Sequence, residues 1–207
     1  MQTYLEFVEL IGVVVFAIAG SLVASRKELD IFGFCLVACV TGVGGGTLRD
    51  LLLGRTVFWV ADATSVYLCI GTAIVTYFTA HIFARRYPVI LWADGIGICI
   101  YGVLGAHIAA QSGAGLIVAV TMGMMTATFG GLIRDVICKE TPLLLTQEVY
   151  ALCPSVAAAV FLLAMQFGLP VNVAGVLGFA VGFGLRASVL IWGLVLPKYK
   201  SRPGNKY

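Results

Sequence analysis

Long apolar runs separated by short polar breaks form the pattern of this chain. One α-helix needs about 20 consecutive apolar residues to cross the hydrocarbon core of a bilayer, and seven segments approach or exceed that length. The predicted spans are residues 5–24, 31–53, 65–84, 90–110, 115–137, 150–167 and 171–196. We therefore expect an all-α polytopic membrane protein with seven transmembrane helices.

The composition supports a membrane protein rather than a soluble domain. Hydrophobic residues make up 60% of the 207 residues, charged residues make up 11%, and the mean hydropathy is +1.02. A soluble domain of this size needs more polar surface to cover its core. The N-terminal sequence MQTYLEFVEL lacks the basic start of a cleavable signal peptide, so we expect the first span to remain in the membrane.

Basic residues between the spans collect on one side of the predicted membrane. One side holds only Arg55. The other side holds Arg26, Lys27, Arg85, Arg86, Lys139, Lys198, Lys200, Arg202 and Lys206. This asymmetry predicts a multi-pass protein of the inner (cytoplasmic) membrane with its N-terminus outside and its C-terminus in the cytoplasm. The net charge of +3 forms no basic patch, so no nucleic-acid partner is expected.

A motif recurs at a constant offset of 85 residues. GGTLRD at residues 45–50 is followed by GGLIRD at residues 130–135. The same offset pairs Thr41 with Thr126, Glu9 with Asp94, Gly12 with Gly97, Gly20 with Gly105 and Phe16 with Tyr101. A unit of three crossings reverses direction when it is repeated, so the two halves are predicted to form an inverted repeat.

The repeat organises the whole chain as one membrane domain, residues 1–207. Repeat one covers about residues 5–84, and repeat two covers about residues 90–167. The seventh helix, residues 171–196, stands alone and precedes a basic cytoplasmic tail at 197–207.

The glycines of the motif predict a weakness in the second and fifth spans. A glycine costs about 1 kcal/mol relative to alanine inside a helix, and the second span places Gly44, Gly45 and Gly46 together. We expect that span to kink or unwind there, with a milder break at Gly130 and Gly131. Freed carbonyls, together with Thr41 and Thr126, would then line a site for a cation. The alternative is that these small residues let helices pack closely.

The charged residues of the motif are candidate gating or ion-pair residues. Arg49 and Asp50 are predicted near one membrane boundary, and Arg134 and Asp135 near the other. Adjacent helical residues point about 100° apart, so we expect Arg49 to pair with a residue other than Asp50. A purely structural ion pair or an interface anchor is the alternative to a functional role.

Three further charges lie within the spans. Glu9 and Asp94 are predicted about one turn inside opposite membrane faces, as vestibule residues that attract cations, with simple interfacial solvation as the alternative. Arg186, among the glycines of the seventh span, is expected to pair with an acidic residue of the bundle.

No enzyme chemistry is indicated. The six cysteines and two histidines lack metal-ligand spacing, and no nucleophile–base constellation, P-loop or H-E-x-x-H motif is present. We therefore expect no catalytic residues, no metal site and no cofactor. The cysteines are expected to act as small buried apolar residues.

The motifs GGGTLRD (44–50) and GGLIRD (130–135), with the arrangement of three, three and one spans, resemble the TRIC family. These are trimeric intracellular cation channels, and the resemblance is to the prokaryotic branch over about residues 5–196. It implies a homotrimer among membrane lipids, with a pore in each protomer that K⁺ and other monovalent cations such as Na⁺ permeate. It also implies that the second and fifth spans line this pore near their glycines, although Phe129 replaces a third glycine in the second motif.

The leading prediction is a passive monovalent-cation channel that favours K⁺. The alternative is a secondary transporter for a small amino acid such as glycine, in which Arg49 or Arg134 would hold the substrate carboxylate. A structural membrane scaffold is a third interpretation, and the repeated charged motif argues against it.

Overall fold

The computed structural model describes residues 2–82, 86–146 and 149–194, and within these ranges the protein is all-α. The α-helices are α1 (Gln2–Arg26), α2 (Ile31–Leu52), α3 (Phe58–Ala61), α4 (Thr64–Thr79), α5 (Arg86–Gln111), α6 (Leu116–Ile137), α7 (Leu143–Thr146), α8 (Leu152–Gln166) and α9 (Val171–Trp192). A 3₁₀ turn, Ala80–Ile82, extends α4. The predicted basic tail lies outside the described residues.

The predicted spans correspond to the seven longer helices, while α3 and α7 are short additions that the hydropathy pattern does not mark. Within the described ranges, six helical segments are long and apolar enough to cross a membrane. The exception is α8, which has 15 residues instead of the predicted span 150–167. At about 1.5 Å per residue it rises less than the roughly 30 Å of hydrocarbon.

The helices pack as two units of the same design. In repeat one, α1 packs against α2 and α4, and in repeat two, α5 packs against α6 and α8. The repeats join through contacts of α1 with α5 and of α2 with α6, while α9 packs against α5 and α8. We call the membrane face at which α1 begins the first face, and the face at which α1 ends the second face. α2 ends at the first face, and α6 ends at the second.

Backbone conformation follows the repeat even where the sequence does not. Glu28 and Gly113 both have left-handed φ angles, of 53° and 84°, and they are 85 residues apart. Gly54 and Lys139, at 64° and 51°, form a second such pair. Each follows the end of a long helix, where a left-handed residue closes the last turn. The inverted repeat is therefore a property of the backbone and not only of the motif.

The predicted break in the glycine-rich helices is wrong. α2 is continuous from Ile31 to Leu52 through Gly44–Gly46, and α6 is continuous from Leu116 to Ile137 through Gly130 and Gly131. Glycine weakens a helix only when nothing compensates for it. Here tertiary packing across the helix crossing provides the compensation, because it requires the absence of a Cβ.

The left-handed positions give a prediction about stability. Gly54→Ala should lower the free energy of unfolding by about 1 kcal/mol, because φ is positive at this residue. The loss comes from the backbone alone, since the added Cβ would meet no atom within 4 Å among the described residues. Lys139→Gly should raise the free energy of unfolding by a similar amount. The measurement is the apparent melting temperature of the purified protein in detergent.

Gly184→Ala is the matched control for this prediction. Gly184 also has open space around it among the described residues, but it lies inside α9 with an ordinary helical backbone. Alanine should therefore stabilise the protein there. A Gly54→Ala variant that melts at or above the wild-type temperature would contradict the backbone argument.

Candidate functional site

The centre of the molecule is a crossing of α2 and α6 made by glycines. A Cβ at Gly45 would collide with the carbonyl oxygen of Thr126, and a Cβ at Gly130 would collide with the carbonyl oxygen of Thr41. A Cβ at Gly44 would lie 3.5 Å from the Cα of Gly130. The contact is reciprocal under the repeat. Close helix packing, the alternative interpretation of the glycines, is thus correct for this arrangement.

The side chains of Thr41 and Thr126, which the repeat pairs, hydrogen-bond within their own helices. The hydroxyl of Thr41 donates to the carbonyl of Val37 at 2.6 Å, and the hydroxyl of Thr126 donates to the carbonyl of Met122 at 2.6 Å. Both side chains are buried. Their hydroxyls are therefore satisfied locally.

The remaining motif glycines differ in what they face. Gly46 packs against the ring of Phe58, whose Cε1 would be 2.5 Å from an added Cβ. Gly131 lies beside Arg134 and Tyr150, since an added Cβ would lie 3.3 Å from both Arg134 Nη2 and the hydroxyl oxygen of Tyr150. Each glycine motif therefore lies between the helix crossing and the charged residues, arginine and aspartate, that end the motif.

The first charge cluster lies at the end of α2, near the first face. Arg49 Nε donates to Asp50 Oδ1 at 2.8 Å, and Arg49 Nη2 lies 3.5 Å from Glu9 Oε1. Asp50 Oδ2 accepts from the backbone N–H of Phe58 at 2.9 Å. Arg49 and Asp50 are each only 2% exposed. The ion pair of Arg49 with Asp50 therefore lies inside the protein.

The expectation that Arg49 would not pair with Asp50 is wrong. The arginine side chain is long enough to fold back around the helix and cover the angular separation of adjacent residues. Its guanidinium also lies over the ring of Phe58, 5.6 Å from the ring centroid. Glu9 is partly exposed, with 19% of its side chain accessible, and its role in a vestibule stays a prediction.

The second cluster repeats the first near the second face. Arg134 Nε donates to Asp135 Oδ1 at 2.8 Å, and Asp135 Oδ2 accepts from the backbone N–H of Leu143 at 2.9 Å. Arg134 Nη1 donates to Asp94 Oδ1 at 3.0 Å. Asp94 is fully buried, so its predicted place in a vestibule is wrong. It holds Arg134 in the interior instead.

Each aspartate of the motif links two helices. Asp50 connects the end of α2 to the first residue of α3, and Asp135 connects the end of α6 to the first residue of α7. Burying a charge costs several kcal/mol unless it is paired and hydrogen-bonded. Since both oxygens of each carboxylate are used, the sequence Arg-Asp fixes the chain reversal after each long helix.

α9 adds a charge to the second cluster alone. Arg186 is fully buried, and its guanidinium lies over the ring of Tyr150, 5.1 Å from the ring centroid. Tyr150 in turn donates its hydroxyl to Asp94 Oδ2 at 2.7 Å. Among the described residues Arg186 has no hydrogen-bond or acidic partner, so the predicted ion pair is not formed there. The second cluster holds two arginines and two aspartates, whereas the first holds one arginine and two carboxylates.

A cavity of about 370 Å³ leads from the second face to the second cluster. Arg134 and Asp135 form part of its wall. At its mouth Arg26 lies 3.4 Å from Glu140 and stacks on Tyr87 at 5.1 Å. The remaining lining residues are Val23, Ile90, Thr141 and Leu143. The cavity therefore extends to the buried second cluster from one side of the membrane.

Some residues of these clusters could not be identified from the sequence. Phe58 and Leu143 act through their backbone N–H groups, and only the 85-residue offset relates them. Tyr150 has no sequence signal, because its equivalent in repeat one is Ser65. The six cysteines are free thiols, and no group of three metal-ligating side chains exists among the described residues.

Comparison with known proteins agrees with this architecture. A family model described as Glycine transporter matches the chain twice, at residues 6–81 and 91–166, again with an offset of 85 residues. The UPF0126 inner membrane protein YadS of Escherichia coli strain K12 is 34% identical over 197 residues, which cover 93% of this chain and 95% of that protein.

Solved structures share the fold over nearly the whole chain. The TRIC trimeric intracellular cation channel orthologue from Rhodobacter sphaeroides superposes with a TM-score of 0.91 at 47% identity, covering 93% of this chain and 100% of that one. A prokaryotic TRIC channel in 0.5 M KCl gives a TM-score of 0.88 at 27% identity, covering 95% and 100%.

The second cluster yields a prediction of coupled stability. Arg134→Met or Asp94→Asn alone leaves a buried charge or dipole without its partner, and each should lower the free energy of unfolding by about 3 kcal/mol. The double variant should lose less than the sum, with a coupling of about 1 kcal/mol or more. Thermal unfolding of the four proteins in one detergent measures this. Strictly additive losses would show that the 3.0 Å contact carries no energy.

Proposed function

The chain belongs to the family described as Glycine transporter and has the fold of the prokaryotic TRIC channels, and from this premise we propose that it is a passive channel for monovalent cations that favours K⁺. It is a multi-pass inner membrane protein, as its relative from Escherichia coli is named. The solved proteins that it resembles are described as cation channels.

We propose the orientation and assembly that the loop charges and the relatives favour. The first face is outside and the second face is cytoplasmic, because the basic loop residues collect at the second face. The functional unit is a homotrimer among membrane lipids, as one solved relative is described as trimeric. Each protomer then holds a pathway of its own.

The proposed pathway runs through the crossing of α2 and α6. Ions enter from the cytoplasm through the cavity, pass the second cluster, and leave past Arg49, Asp50 and Glu9. Between the clusters they pass residues Thr41, Gly44, Gly45, Gly46, Thr126, Gly130 and Gly131. One observation carries this proposal. Two buried arginine–carboxylate clusters, related by the repeat, lie on opposite sides of a helix contact made of glycines and threonine carbonyls.

The structure supports a closed state in this account. At Gly45 and Gly130 the contact between α2 and α6 has no room even for a Cβ, so conduction there requires the two helices to separate. Separation would expose the carbonyl oxygens of Thr41 and Thr126, and carbonyl oxygens replace the hydration shell of a permeating K⁺. The arginines do not repel the ion strongly, because Asp50 and Asp135 neutralise them at 2.8 Å.

A transporter for a small amino acid is the second candidate. The cavity places the basic Arg26 and Arg134 near the acidic Asp135 and Glu140, which is the charge pattern that a zwitterion requires. The description of the family model points to the same substrate class. In that case the second cluster would be a substrate site rather than a stage of an ion pathway.

Flux measurements on liposomes separate the two candidates. Purified protein should carry uncoupled K⁺ flux that rises linearly with voltage and is indifferent to glycine. The same vesicles are tested for uptake of radiolabelled glycine under K⁺, Na⁺ and proton gradients. Saturable glycine accumulation driven by a gradient, without K⁺ current, would replace the channel by the transporter.

Charge changes within the clusters should alter the flux in a graded way. Asp135→Asn gives the second cluster one net positive charge and should lower K⁺ flux about tenfold, which corresponds to a barrier increase of about 1.4 kcal/mol. Asp50→Asn only removes the excess negative charge of the first cluster and should have a smaller effect.

The control for these variants is Asp62→Asn. Asp62 is an exposed carboxylate outside both clusters, and among the residues that the structure describes it accepts hydrogen bonds only from Thr64. Its replacement should leave K⁺ flux unchanged. Equal flux in Asp135→Asn and wild type, at equal protein incorporation, would remove the second cluster from the pathway.

A further inference from the structure

Two cysteines face each other where α4 packs against α2. Cys39 lies on α2 and Cys69 lies on α4, and their thiols are hydrogen-bonded to each other. Cys69 is fully buried, whereas Cys39 is only partly buried. Both are free thiols in this structure. The pair therefore connects a helix of the proposed pathway, α2, to a helix outside it.

Contacts on both sides of the pair keep the two helices close together. Gly42 follows Cys39 by three residues, on the same side of α2, and an added Cβ there would meet Cys69 Sγ at 2.8 Å. The sulfur thus occupies the space that a side chain at Gly42 would need. Toward the second face, Phe34 of α2 packs edge to face on Tyr77 of α4, with 5.1 Å between the ring centroids. The two thiols are therefore held in contact by the packing of their helices.

The thiol pair belongs to repeat one alone. The offset of 85 residues places Met124 at the position equivalent to Cys39 and Pro154 at the position equivalent to Cys69. Neither residue can form a disulfide, so α6 and α8 cannot be joined in the same way. Chemistry at the pair would therefore act on one half of the helix crossing.

We propose that Cys39 and Cys69 are a redox-active pair that a hydroperoxide converts to a disulfide between α2 and α4. Hydrogen peroxide oxidises the thiol of the more accessible Cys39 to a sulfenic acid, and one water is released. The thiol of Cys69 then attacks this sulfur, so that the S–S bond forms and the S–O bond breaks. The hydroxyl leaves with the thiol proton as a second water. Two thiols and one peroxide thus give one disulfide and two waters, and a dithiol reverses the reaction by exchange.

The disulfide would hold α2 in its closed position, and this consequence rests on the channel function proposed above. Opening in that account separates α2 from α6. Because Cys69 Sγ already fills the space beside Gly42, α2 cannot move closer to α4 and can leave α6 only by sliding or turning along α4. A covalent bond between the two helices prevents this movement. Oxidation therefore closes the channel, and reduction allows it to open.

Thiol counting by mass spectrometry tests the chemistry independently of ion flux. Purified protein in liposomes is treated with hydrogen peroxide, its remaining thiols are alkylated, and the protein is digested. Most chains should yield two peptides joined through Cys39 and Cys69, while Cys35 should remain alkylated. Cys35 is the matched control, because it lies one turn from Cys39 on α2 and is also a partly buried free thiol.

The same liposomes report the effect of the disulfide on K⁺ flux. Flux should fall in proportion to the oxidised fraction and return when dithiothreitol is added. The response to peroxide should disappear in Cys39→Ala and persist in Cys35→Ala, since only the first variant removes a partner of the disulfide.

The outcomes separate this proposal from the proposed function. Peroxide that leaves both thiols free, or that oxidises Cys39 and Cys35 equally without a disulfide, overturns the redox pair. A verified disulfide with unchanged K⁺ flux overturns its control of the channel. If untreated protein carries no K⁺ flux, the proposed function fails, and the joined peptides still decide whether the pair is redox-active.

Discussion

The pairing of buried arginines with carboxylates constrains the whole bundle. Arg49 and Arg134 are almost fully buried, and an unpaired charge at such a site would cost several kcal/mol. Each therefore needs its neighbouring aspartate and a carboxylate from the first helix of the same repeat, Glu9 or Asp94. The aspartates in turn bind the short helices that follow. One motif thus sets the position of three helices in each repeat, and inversion places the two clusters at opposite ends of the helix crossing.

The two repeats have diverged in charge and in packing through α9. This helix delivers Arg186 to the second cluster and fills the groove between α5 and α8, whereas repeat one receives neither. The first cluster therefore keeps an excess negative charge, and the groove between α1 and α4 stays open. A nearly symmetric scaffold becomes asymmetric across the membrane in this way.

The sequence predicted the fold well and the site in part. Hydropathy and the 85-residue offset predict the spans and the inverted repeat, because both depend on local composition. The glycine break was wrong because propensity describes an isolated helix, and only the fold reveals that the Thr126 carbonyl fills the space of a Cβ at Gly45. The burial of Asp94 and the contribution of Tyr150 depend on tertiary packing, which has no signature within either helix. Which residues form the pore remains a prediction.

A reversible lock across the helix crossing tests the central claim most directly. An added Cβ at Gly44 would lie 3.6 Å from the side-chain terminus of Ile133, Cδ1, so the thiols of Gly44→Cys and Ile133→Cys lie within reach of a short bis-methanethiosulfonate cross-linker that joins α2 to α6 through reducible bonds. Cross-linking should abolish K⁺ current in the double variant, reductant should restore it, and Gly44→Cys alone should not lose its current. Undiminished current through protein whose cross-link is verified by mass spectrometry would show that ions do not pass between α2 and α6.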